Sequence, residues 1–358
     1  MSVILVTGGS GFIGLHTCHL LLKNGYKVII LDSFINSNLS FIQKLSFINS
    51  ENFDNNLEII KGDLRNQLSV RSIFNNAYKR GEPIESVIHF AGLKSISESI
   101  EDPTAYWDVN VRGSINIFKV MEEFGCRKII FSSSALVYDL SIGGIYKEDS
   151  PINPQNPYGK TKFVVEGILE DLSKKYKDPW QVVILRYFNP IGAHESGLIG
   201  DNPSLIKRNI FPIICDVAAK EKHIFQIYGK NWETIDGTPV RDYIHIMDLA
   251  EAHLEAYKAL NDNKIENIVL NIGTGKGTSV LELINIFEEA NNLIIPYEYV
   301  NKRNGDQGFL VADNRLSLKV LNWRPKRNIH QMCKDGWNFK KRSIESKISL
   351  ESKNTFFI

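Results

Sequence analysis

Near its start the chain reads Val3-Ile4-Leu5-Val6-Thr7-Gly8-Gly9-Ser10-Gly11-Phe12-Ile13-Gly14, an apolar run followed by a glycine-rich loop. A short run of Val and Ile predicts a buried strand, and the apolar positions after the loop predict a helix. Glycines permit a tight turn with close backbone approach, and the free N–H groups of a helix start attract a pyrophosphate. A turn of this kind can also be purely structural, so the residues beyond it must decide. The predicted dinucleotide contacts are Gly8, Gly11, Phe12, Ile13 and Gly14.

Two aspartates beyond the loop bear on the choice of dinucleotide. Asp32 ends the second predicted strand, where a carboxylate accepts hydrogen bonds from ribose hydroxyls and disfavours a 2′-phosphate. This residue therefore selects NAD over NADP. Asp63 follows the third predicted strand, and it is either a partner for the adenine amino group or a helix N-cap.

Short runs rich in Val and Ile alternate with helix-length amphipathic stretches in the first half of the chain. The predicted strands are Val3–Thr7, Lys27–Asp32, Leu57–Lys61, Ser86–Phe90, Lys128–Ser132 and Val182–Arg186. The predicted helices are Ile13–Lys23, with Gly25 as its C-cap, then Leu64–Ala77, Ala105–Phe124 and Tyr158–Tyr176. The alternation predicts an α/β fold with a doubly wound parallel sheet of the Rossmann type.

The pattern changes after Phe188, where Pro and Gly become more frequent and clean strand–helix units become fewer. We expect an NAD-binding Rossmann domain over residues 1–188, a smaller mixed α/β substrate domain over residues 189–340, and a flexible tail over residues 341–358. The segment Val240–Leu260 is expected to pack back on the first domain. The Asn- and Ser-rich segment Asn36–Asn56 is predicted to be a long surface excursion.

Composition excludes several classes of function. The 358 residues carry a net charge of +1 at pH 7, which gives no reason to expect a nucleic acid or an anionic membrane surface as partner. The four cysteines lack the paired spacing of a metal site or a disulfide framework, so we expect reduced thiols and no metal. Apolar runs are shorter than the roughly 18 residues of a membrane span, which predicts a cytoplasmic location.

A second motif, Tyr158-Gly159-Lys160-Thr161-Lys162, follows Pro157 and places the tyrosine and the lysine one helical turn apart. An ammonium and the positive nicotinamide ring would stabilise the phenolate and lower the tyrosine pKa, which suits Tyr158 to proton transfer. Ser134 ends a predicted strand, at the sheet edge where ligands of doubly wound folds bind, in reach of the reacting hydroxyl. Tyr–Lys pairs occur in ordinary helices and serines cap turns, so the glycine-rich loop is what favours the catalytic interpretation.

Longer stretches resemble a known family. They are Val6-Thr7-Gly8-Gly9-Ser10-Gly11, His89-Phe90-Ala91-Gly92-Leu93-Lys94, Leu185-Arg186-Tyr187-Phe188-Asn189-Pro190-Ile191-Gly192-Ala193-His194 and Val240-Arg241-Asp242-Tyr243-Ile244-His245. From Val3 to about Trp337 the chain resembles the extended short-chain dehydrogenases/reductases, most closely those that epimerise UDP-hexoses. The resemblance implies that Tyr158, Lys162 and Ser134 are catalytic. It also implies that Tyr158 and Lys162 contact the cofactor, together with Asn36, Leu64, Phe90, Ala91, Gly92, Lys94, Asn110, Tyr187 and Phe188.

The resemblance also implies an activity, the reversible interconversion of UDP-galactose and UDP-glucose in galactose metabolism. Tightly bound NAD would oxidise the sugar at C4 and reduce the 4-keto sugar from its opposite face, so that the cofactor is regenerated in each cycle. Arginines that fork onto phosphate oxygens suit the diphosphate. Besides Ser134 and Tyr158, the implied substrate contacts are Asn189, Asn209, Gln226, Ile227, Tyr228, Arg241, Arg303, Asp306 and Leu310.

The chain departs from the family pattern at two places. Asp139 stands where the family usually has glycine, and the loop Asp139–Ser150 is shorter than usual. Leu310 occupies a position beside the sugar where tyrosine is associated with plain hexoses and cysteine with N-acetylated ones. Leucine is intermediate in size, so UDP-glucose and UDP-galactose are the predicted main substrates, and N-acetylated sugars stay open.

Two other functions and one assembly share features with this sequence. A sugar-nucleotide dehydratase shares the fold and the Tyr–Lys pair but needs an additional acid and base, where this chain has Ala135-Leu136. A non-catalytic NAD(H)-binding regulator would not need Tyr158 and Lys162. The resemblance further implies a homodimer through the helices Ala105–Phe124 and Tyr158–Tyr176, although the apolar faces of these helices would equally serve to cover the sheet.

Overall fold

A computed structural model describes residues 3–49, 53–201, 209–303 and 306–354. In chain order its strands are β1 (Val3–Thr7), β2 (Lys27–Asp32), β3 (Leu57–Lys61), β4 (Ile84–His89), β5 (Lys128–Ser134), β6 (Gly144–Tyr146), β7 (Gln181–Tyr187), β8 (Asn189–Ile191), β9 (Phe225–Tyr228), β10 (Val240–Arg241), β11 (Tyr243–His245), β12 (Ile268–Ile272), β13 (Thr278–Ser279), β14 (Tyr297–Val300) and β15 (Phe309–Ala312).

Helices connect most of these strands. They are α1 (Phe12–Lys23), α2 (Leu39–Ile48), α3 (Phe53–Asn56), α4 (Gln67–Lys79), α5 (Ile96–Glu101), α6 (Pro103–Tyr106), α7 (Gly113–Glu123), α8 (Pro157–Ser173), α9 (Ile210–Ala218), α10 (Ile246–Asn261), α11 (Val280–Asn291), α12 (Arg315–Val320) and α13 (Ile329–Asn354). A π-helical turn, Trp107–Arg112, joins α6 to α7. Of the helices described, none combines the length and the apolar composition that a membrane span requires.

Seven strands form one sheet in the order β12-β7-β5-β4-β1-β2-β3, and every neighbouring pair is parallel. The chain builds outward from β1 through β2 to β3 and then returns to β4 on the other side of β1. This reversal leaves a crevice at the carboxyl ends of β1 and β4, which is where doubly wound folds bind ligands. The Rossmann prediction is confirmed.

Side chains alternate between the two faces of this sheet. Ile4 and Val6 belong to a core shared with α1 and α10, whereas Leu5 belongs to a core shared with α4, α7 and α8. Because successive strand residues point to opposite faces, a run of apolar residues in one strand supplies both cores. Helices therefore cover both faces of the sheet.

The rest of the chain builds a smaller mixed α/β unit. Its sheets are β13-β10-β15-β6, β11-β8 and β14-β9. Apolar side chains of α9, α11 and α13 form a separate core with β9. Two parts of the segment 189–340 join the large sheet instead: β12 pairs with β7, and α10 packs against α1. The latter contact is the one expected for Val240–Leu260.

Four sequence predictions differ from the structure. The strand predicted over Ser86–Phe90 spans Ile84–His89 in the structure. The π-helical turn interrupts the predicted helix Ala105–Phe124. The expected surface excursion Asn36–Asn56 instead contains α2, because Ile42 and Leu45 on this helix are fully buried. In the segment 341–358, expected to be a tail, α13 continues to Asn354, and residues 355–358 lie outside the described part.

Candidate active site

The glycine-rich loop lies in the crevice between β1 and β4. Gly8 has a φ of +70°, and a Cβ atom there would lie 2.7 Å from the backbone nitrogen of Ala91. A Cβ atom on Gly14 would lie 2.5 Å from the Gly8 carbonyl oxygen. Gly11 is the N-cap of α1, and no side chain caps this helix. The loop therefore brings backbone very close to backbone and leaves the first N–H groups of α1 free for an anion.

Asp32 faces this loop, as ribose recognition requires. Its carboxylate accepts hydrogen bonds from the backbone N–H groups of Ser10 at 3.1 Å and Phe34 at 2.9 Å. It also accepts one from the Ser37 hydroxyl at 3.3 Å. Asn36, the other predicted contact in this segment, is exposed.

Asp63 follows β3 and does not cap a helix. The N-cap of α4 is Asn66, whose side chain accepts from the Ser69 N–H at 3.1 Å, so the N-cap alternative for Asp63 is wrong. Asp63 pairs with the Arg65 guanidinium at 2.7 Å, and this hydrogen bond lowers the pKa of the carboxyl group. Leu64 beside it is buried. The adenine contacts of Asp63 and Leu64 stay predictions.

Asn110 holds the loop after β4 against the helix of the Tyr–Lys motif. Its side chain accepts from the Leu93 N–H at 2.7 Å and donates to the Leu93 carbonyl at 3.1 Å and to the Thr161 hydroxyl at 3.0 Å. It also lies against Gly92, where a Cβ atom would sit 3.0 Å from the Asn110 side-chain oxygen. Asn110 belongs to the π-helical turn, a local distortion that is frequent at functional sites. Lys94, the last residue of this predicted cofactor segment, is exposed.

A buried hydrogen-bond chain supports Asn110 from the other side. His89 contacts the Thr7 hydroxyl through Nδ1 at 2.6 Å and the Ser114 hydroxyl through Nε2 at 2.9 Å. Because the Ser114 hydroxyl donates to the Asn110 carbonyl, it accepts from His89, which assigns the imidazole proton to Nε2. Burial lowers the pKa of His89 to about 3, so this ring is neutral. Sequence analysis missed Thr7, His89 and Ser114, since each is an ordinary residue of a buried element.

Tyr158, Lys162 and Ser134 meet at the carboxyl edge of the sheet. Asn156 caps α8 by accepting from the Gly159 N–H at 2.8 Å, and this cap places Tyr158 in the first turn. Ser134 ends β5 and is a hydrogen-bonding neighbour of Tyr158. It also accepts from the backbone of the following turn, so the capping interpretation of this serine is correct as well. Lys162 Nζ lies 6.0 Å from the centroid of the Tyr158 ring.

Burial dominates the ionisation of these groups. It raises the pKa of Tyr158 to about 12, and the hydrogen bond with Ser134 opposes this rise. It lowers the pKa of Lys162 to about 8, and the charge of Glu166 opposes this fall. In the chain alone, desolvation of the phenolate outweighs the other effects on the pKa of Tyr158, and the lowering expected from the lysine together with a nicotinamide ring stays a prediction.

The predicted nicotinamide region contains a buried hydroxyl that has no partner. Tyr187 and Phe188 follow one another at the end of β7, and both are buried. Among the described residues, nothing bonds to the Tyr187 hydroxyl or to Nε2 of His253, whose ring centroid lies 5.7 Å from that of Tyr187. Phe90 packs on the other side of His253 at 4.8 Å. Because an unpaired buried hydroxyl costs free energy, the Tyr187 hydroxyl is open to a ligand.

Residues predicted to bind UDP are brought together in the smaller unit. Arg241 on β10 forms an ion pair with Asp306. The Arg303 guanidinium stacks on the Tyr228 ring, 3.5 Å from its centroid. Tyr228 ends β9, which pairs with β14 and with no other strand in the described residues. The other edge of β9 pairs with no described strand, so its backbone groups are available to bind a base. The predicted contacts Gln226, Ile227 and Tyr228 all belong to β9.

Two predicted contacts lie at the ends of this region. Asn209, an exposed residue, is the N-cap of α9, which packs against β9. Asn189 begins β8, and its backbone N–H donates to the Asp242 carbonyl at 3.0 Å. No side-chain contact between either residue and Arg241 is seen in the described part of the chain.

Leu310 lies between residues predicted to bind the diphosphate and residues predicted to be catalytic. It pairs with Arg241 in the β10–β15 register, and its side chain packs in one cluster with Ala135 and Phe188. This places Leu310 beside the end of β5 where Ser134 lies. Asp139 caps the short turn Leu140–Ile142 by accepting from the Ser141 N–H at 3.0 Å, so its carboxylate is engaged locally.

A buried ion pair beside the Tyr–Lys motif was missed. Glu166 on α8 and Arg186 on β7 form a bidentate pair, with side chains 6% and 4% exposed. A charged residue in the middle of an otherwise apolar stripe or strand was the available signal, because such charges are rarely buried without a specific partner.

Known proteins share this arrangement. Residues 5–336 match the family model described as GDP-mannose 4,6 dehydratase. The chain is 45% identical to UDP-glucose 4-epimerase of Neisseria meningitidis serogroup C over 341 residues, which covers 95% of this chain and 97% of that protein. It is 42% identical to a UDP-glucose 4-epimerase of Cyamopsis tetragonoloba over 336 residues, which covers 94% of each chain.

Solved structures agree with these relatives. The UDP-glucose 4-epimerase of Stenotrophomonas maltophila, crystallised with NAD and formylated UDP-arabinopyranose, superposes with a TM-score of 0.90 at 37% identity and covers 97% of this chain and 100% of that one. The enzyme of Bifidobacterium longum, in complex with NAD+ and UDP, gives a TM-score of 0.88 at 38% identity, with 96% and 99% covered. The chain belongs to the extended short-chain dehydrogenase/reductase family, in the group formed by the UDP-glucose 4-epimerases.

Proposed function

We propose that the chain interconverts UDP-galactose and UDP-glucose with NAD as a retained cofactor. The observation that carries the proposal is the meeting of Tyr158, Lys162 and Ser134 at the sheet edge beside the glycine-rich loop. Proton-transfer groups and a dinucleotide loop at one crevice fit oxidation and reduction of a bound alcohol.

The residues of the crevice fit NAD. A Cβ atom at Gly8 would fill the space beside Ala91, and the first turn of α1 is left without a side-chain cap. Asp32 suits the ribose, and the unpartnered Tyr187 hydroxyl is available at the nicotinamide end. Bound there, NAD would supply the hydride acceptor, and in its reduced form the hydride donor, for the sugar C4. Lys94 and Asn36, two further predicted contacts, are exposed and therefore accessible to a cofactor.

Tyr158 accepts and returns the proton of the sugar 4-hydroxyl. The phenolate takes this proton during oxidation and returns it during reduction, while Ser134 lies next to it to bond the same hydroxyl. The neutral phenol is favoured in the chain alone, since burial raises the pKa of Tyr158 to about 12. The ammonium of Lys162 is the nearby positive charge that stabilises the phenolate when the proton moves.

Inversion at C4 requires a firmly held UDP group and a sugar that is free to turn. Arg241 and Arg303 supply two guanidinium groups for the diphosphate, and the free edge of β9 supplies backbone groups for the uracil. In the chain alone these arginines contact Asp306 and Tyr228. Binding of UDP therefore exchanges these contacts for contacts with phosphate oxygens, which makes affinity depend on both arginines.

Incubating the purified protein with UDP-galactose, without added NAD, tests the proposal by proton NMR of the sugar. UDP-glucose formed at a catalytic rate is the expected result. A 4-keto-6-deoxy product would instead indicate a dehydratase, and no reaction of any UDP-hexose after addition of NAD would favour a binding protein.

Assembly and location extend the proposal. We infer a homodimer through α8 and the π-helical turn, because Phe163, Val164 and Trp107 on these packed elements are exposed apolar residues. Light scattering should give twice the mass of one chain, and Phe163→Asp should give the single-chain mass, whereas Phe47→Asp on α2 should not. We also infer a cytoplasmic location, which suits four cysteines that are all buried and outside any disulfide.

A further inference from the structure

Three successive serines at the end of β5 are tied to three residues of α8. Ser134 neighbours the Tyr158 hydroxyl, the Ser132 carbonyl accepts from Lys162 Nζ at 2.7 Å, and the Ser133 hydroxyl donates to Glu166 Oε1. Positions 158, 162 and 166 are each one helical turn apart, so they lie along one face of α8. Of these three contacts, the one between Ser133 and Glu166 has no assigned role.

Glu166 is held more tightly than its neighbours on this face. Arg186 donates to both of its carboxylate oxygens, through Nε at 3.0 Å and through a terminal nitrogen at 2.6 Å. Arg186 in turn donates to the Glu148 carbonyl at 3.1 Å and lies over the Tyr138 ring. Three hydrogen bonds, one from Ser133 and two from Arg186, therefore fix the position of the carboxylate.

Stability is a poor reason for such a pair. Burying two charges costs several kcal/mol of desolvation, and replacing a buried pair with apolar residues is often neutral or stabilising. Arg186 directly precedes Tyr187 on β7, and Glu166 lies one turn beyond Lys162 on α8. The pair thus joins two segments that carry predicted site residues.

Glu166 is also the carboxylate that acts on the charge of Lys162. Burial lowers the pKa of this lysine to about 8, and the charge of Glu166 works against that fall. The other groups that face Lys162 supply no negative charge: His89 is neutral, and Ser132 offers a carbonyl oxygen. The groups around this ammonium are Tyr158 and Glu166 on α8, Ser132 and Phe131 on β5, His89 on β4 and Asn110 in the π-helical turn. Arg186 on β7 contacts Glu166.

We propose that Glu166, fixed by Ser133 and Arg186, is a positioning residue that keeps Lys162 charged and holds α8 in register with β5. The importance of this role rests on the proposed function, in which the Lys162 ammonium stabilises the Tyr158 phenolate. The charge of Lys162 can nevertheless be measured without any substrate, which separates a failure of this inference from a failure of the proposed function.

The test is the titration of the Lys162 side chain by heteronuclear NMR of lysine-labelled protein, assigned with Lys162→Met. Wild-type protein should titrate near the pKa of about 8. Glu166→Gln should titrate about one pH unit lower, because a negative charge near the ammonium is gone. Glu166→Asp keeps the charge and should restore most of the wild-type midpoint.

Glu170→Gln is the matched control, since it makes the same change one turn further along α8 at a side chain that is 61% exposed. It should leave the Lys162 midpoint in place. An equal midpoint in wild type and Glu166→Gln would overturn the inference, whatever the loss of thermal stability.

The pH profile of epimerisation provides a second readout. The alkaline limb of kcat in Glu166→Gln should move down by about one pH unit, so that its activity relative to wild type falls about tenfold at pH 9 but only about twofold at pH 7. If Glu166→Gln does not fold, Ser133→Ala leaves the charges in place but removes one of the three hydrogen bonds that hold the carboxylate, and it should shift the Lys162 midpoint in the same direction by a smaller amount. An unchanged midpoint in Ser133→Ala would then contradict the role of Ser133.

Discussion

The backbones of Gly8 and Ala91 lie so close that a Cβ atom on Gly8 would sit 2.7 Å from the Ala91 nitrogen. This contact joins the ends of β1 and β4, the two strands between which the sheet order reverses. The glycine-rich loop is thus held in one position by a neighbour that leaves no room for a side chain. The cofactor crevice depends on this contact.

Gly8→Ala should therefore lose NAD during purification. Its Cβ would collide with backbone, and its φ of +70° would add the strain of a left-handed conformation, about 1–2 kcal/mol. Gly25→Ala is the control, since Gly25 has a φ of +80° but a Cβ atom there would meet nothing within 4 Å. NAD released by acid from equal amounts of protein measures the effect. Equal loss in both variants would mean that backbone strain, not the contact with Ala91, matters.

Tyr158→Phe should reduce epimerisation by about 10²–10⁴-fold and leave NAD bound, because only the proton-transfer group is removed. Tyr176→Phe, at an exposed tyrosine just beyond α8, is the matched control. Turnover of UDP-galactose and the NAD content of each variant would be measured. A Tyr158→Phe variant with wild-type turnover would remove Tyr158 from the mechanism.

Acid should destabilise the protein through buried histidines. Burial lowers the pKa of His16, His19 and His89 to about 3 and that of His253 to about 4. In the unfolded chain these histidines are protonated as the pH falls below about 6.5, whereas in the folded chain they stay neutral down to about pH 3 to 4. The free energy that neutral histidines contribute to folding is therefore complete above about pH 6.5 and is lost as the pH falls toward about 3. Each such histidine contributes up to about 1.4 kcal/mol per pH unit within that window.

Urea unfolding between pH 7 and pH 5 checks this slope. His16→Gln should make the fall in unfolding free energy shallower, whereas His223→Gln should not, because His223 is exposed. A free energy of unfolding that stays constant over this range would contradict the neutral, buried state of these rings.

Leu310 should set how large a sugar is accepted. It is 6% exposed and packs with Phe188 and Ala135 near the end of β5. Leu310→Tyr should lower turnover of UDP-N-acetylglucosamine by about tenfold or more and change that of UDP-galactose little, because the added ring takes up room beside the sugar. Leu310→Met keeps the volume and serves as the control. Efficient use of UDP-N-acetylglucosamine by the wild type would defeat the view that plain hexoses are the main substrates.

Sequence reasoning succeeded where the information is local. The loop from Gly8 to Gly14 and the pair Tyr158 and Lys162 depend on short spacings, and the structure places them in one crevice. Strand ends and helix interruptions were harder to predict from the sequence. The π-helical turn Trp107–Arg112 has no periodic signature, since one extra residue in a turn changes few apolar positions.

Contacts between distant segments could not be read from one sequence. The ion pair of Arg241 with Asp306 and the packing of Phe41 near Phe339 join residues far apart in the chain. Strand β12 (Ile268–Ile272) of the seven-stranded sheet is flanked by irregular segments. Its position in the sheet follows from its pairing with β7. The buried pair of Glu166 and Arg186 is also a contact between distant segments, because neither residue by itself identifies the other as its partner.

The central claim is that the hydrogen at the sugar C4 leaves and returns within one protein molecule. UDP-galactose carrying deuterium at C4 tests this most directly, with the UDP-glucose product examined by mass spectrometry and NMR. Retention of deuterium at C4 of UDP-glucose is the predicted result, because the hydride never exchanges with water. Loss of the label to solvent would contradict the account, since it would mean that C4 is inverted through a proton.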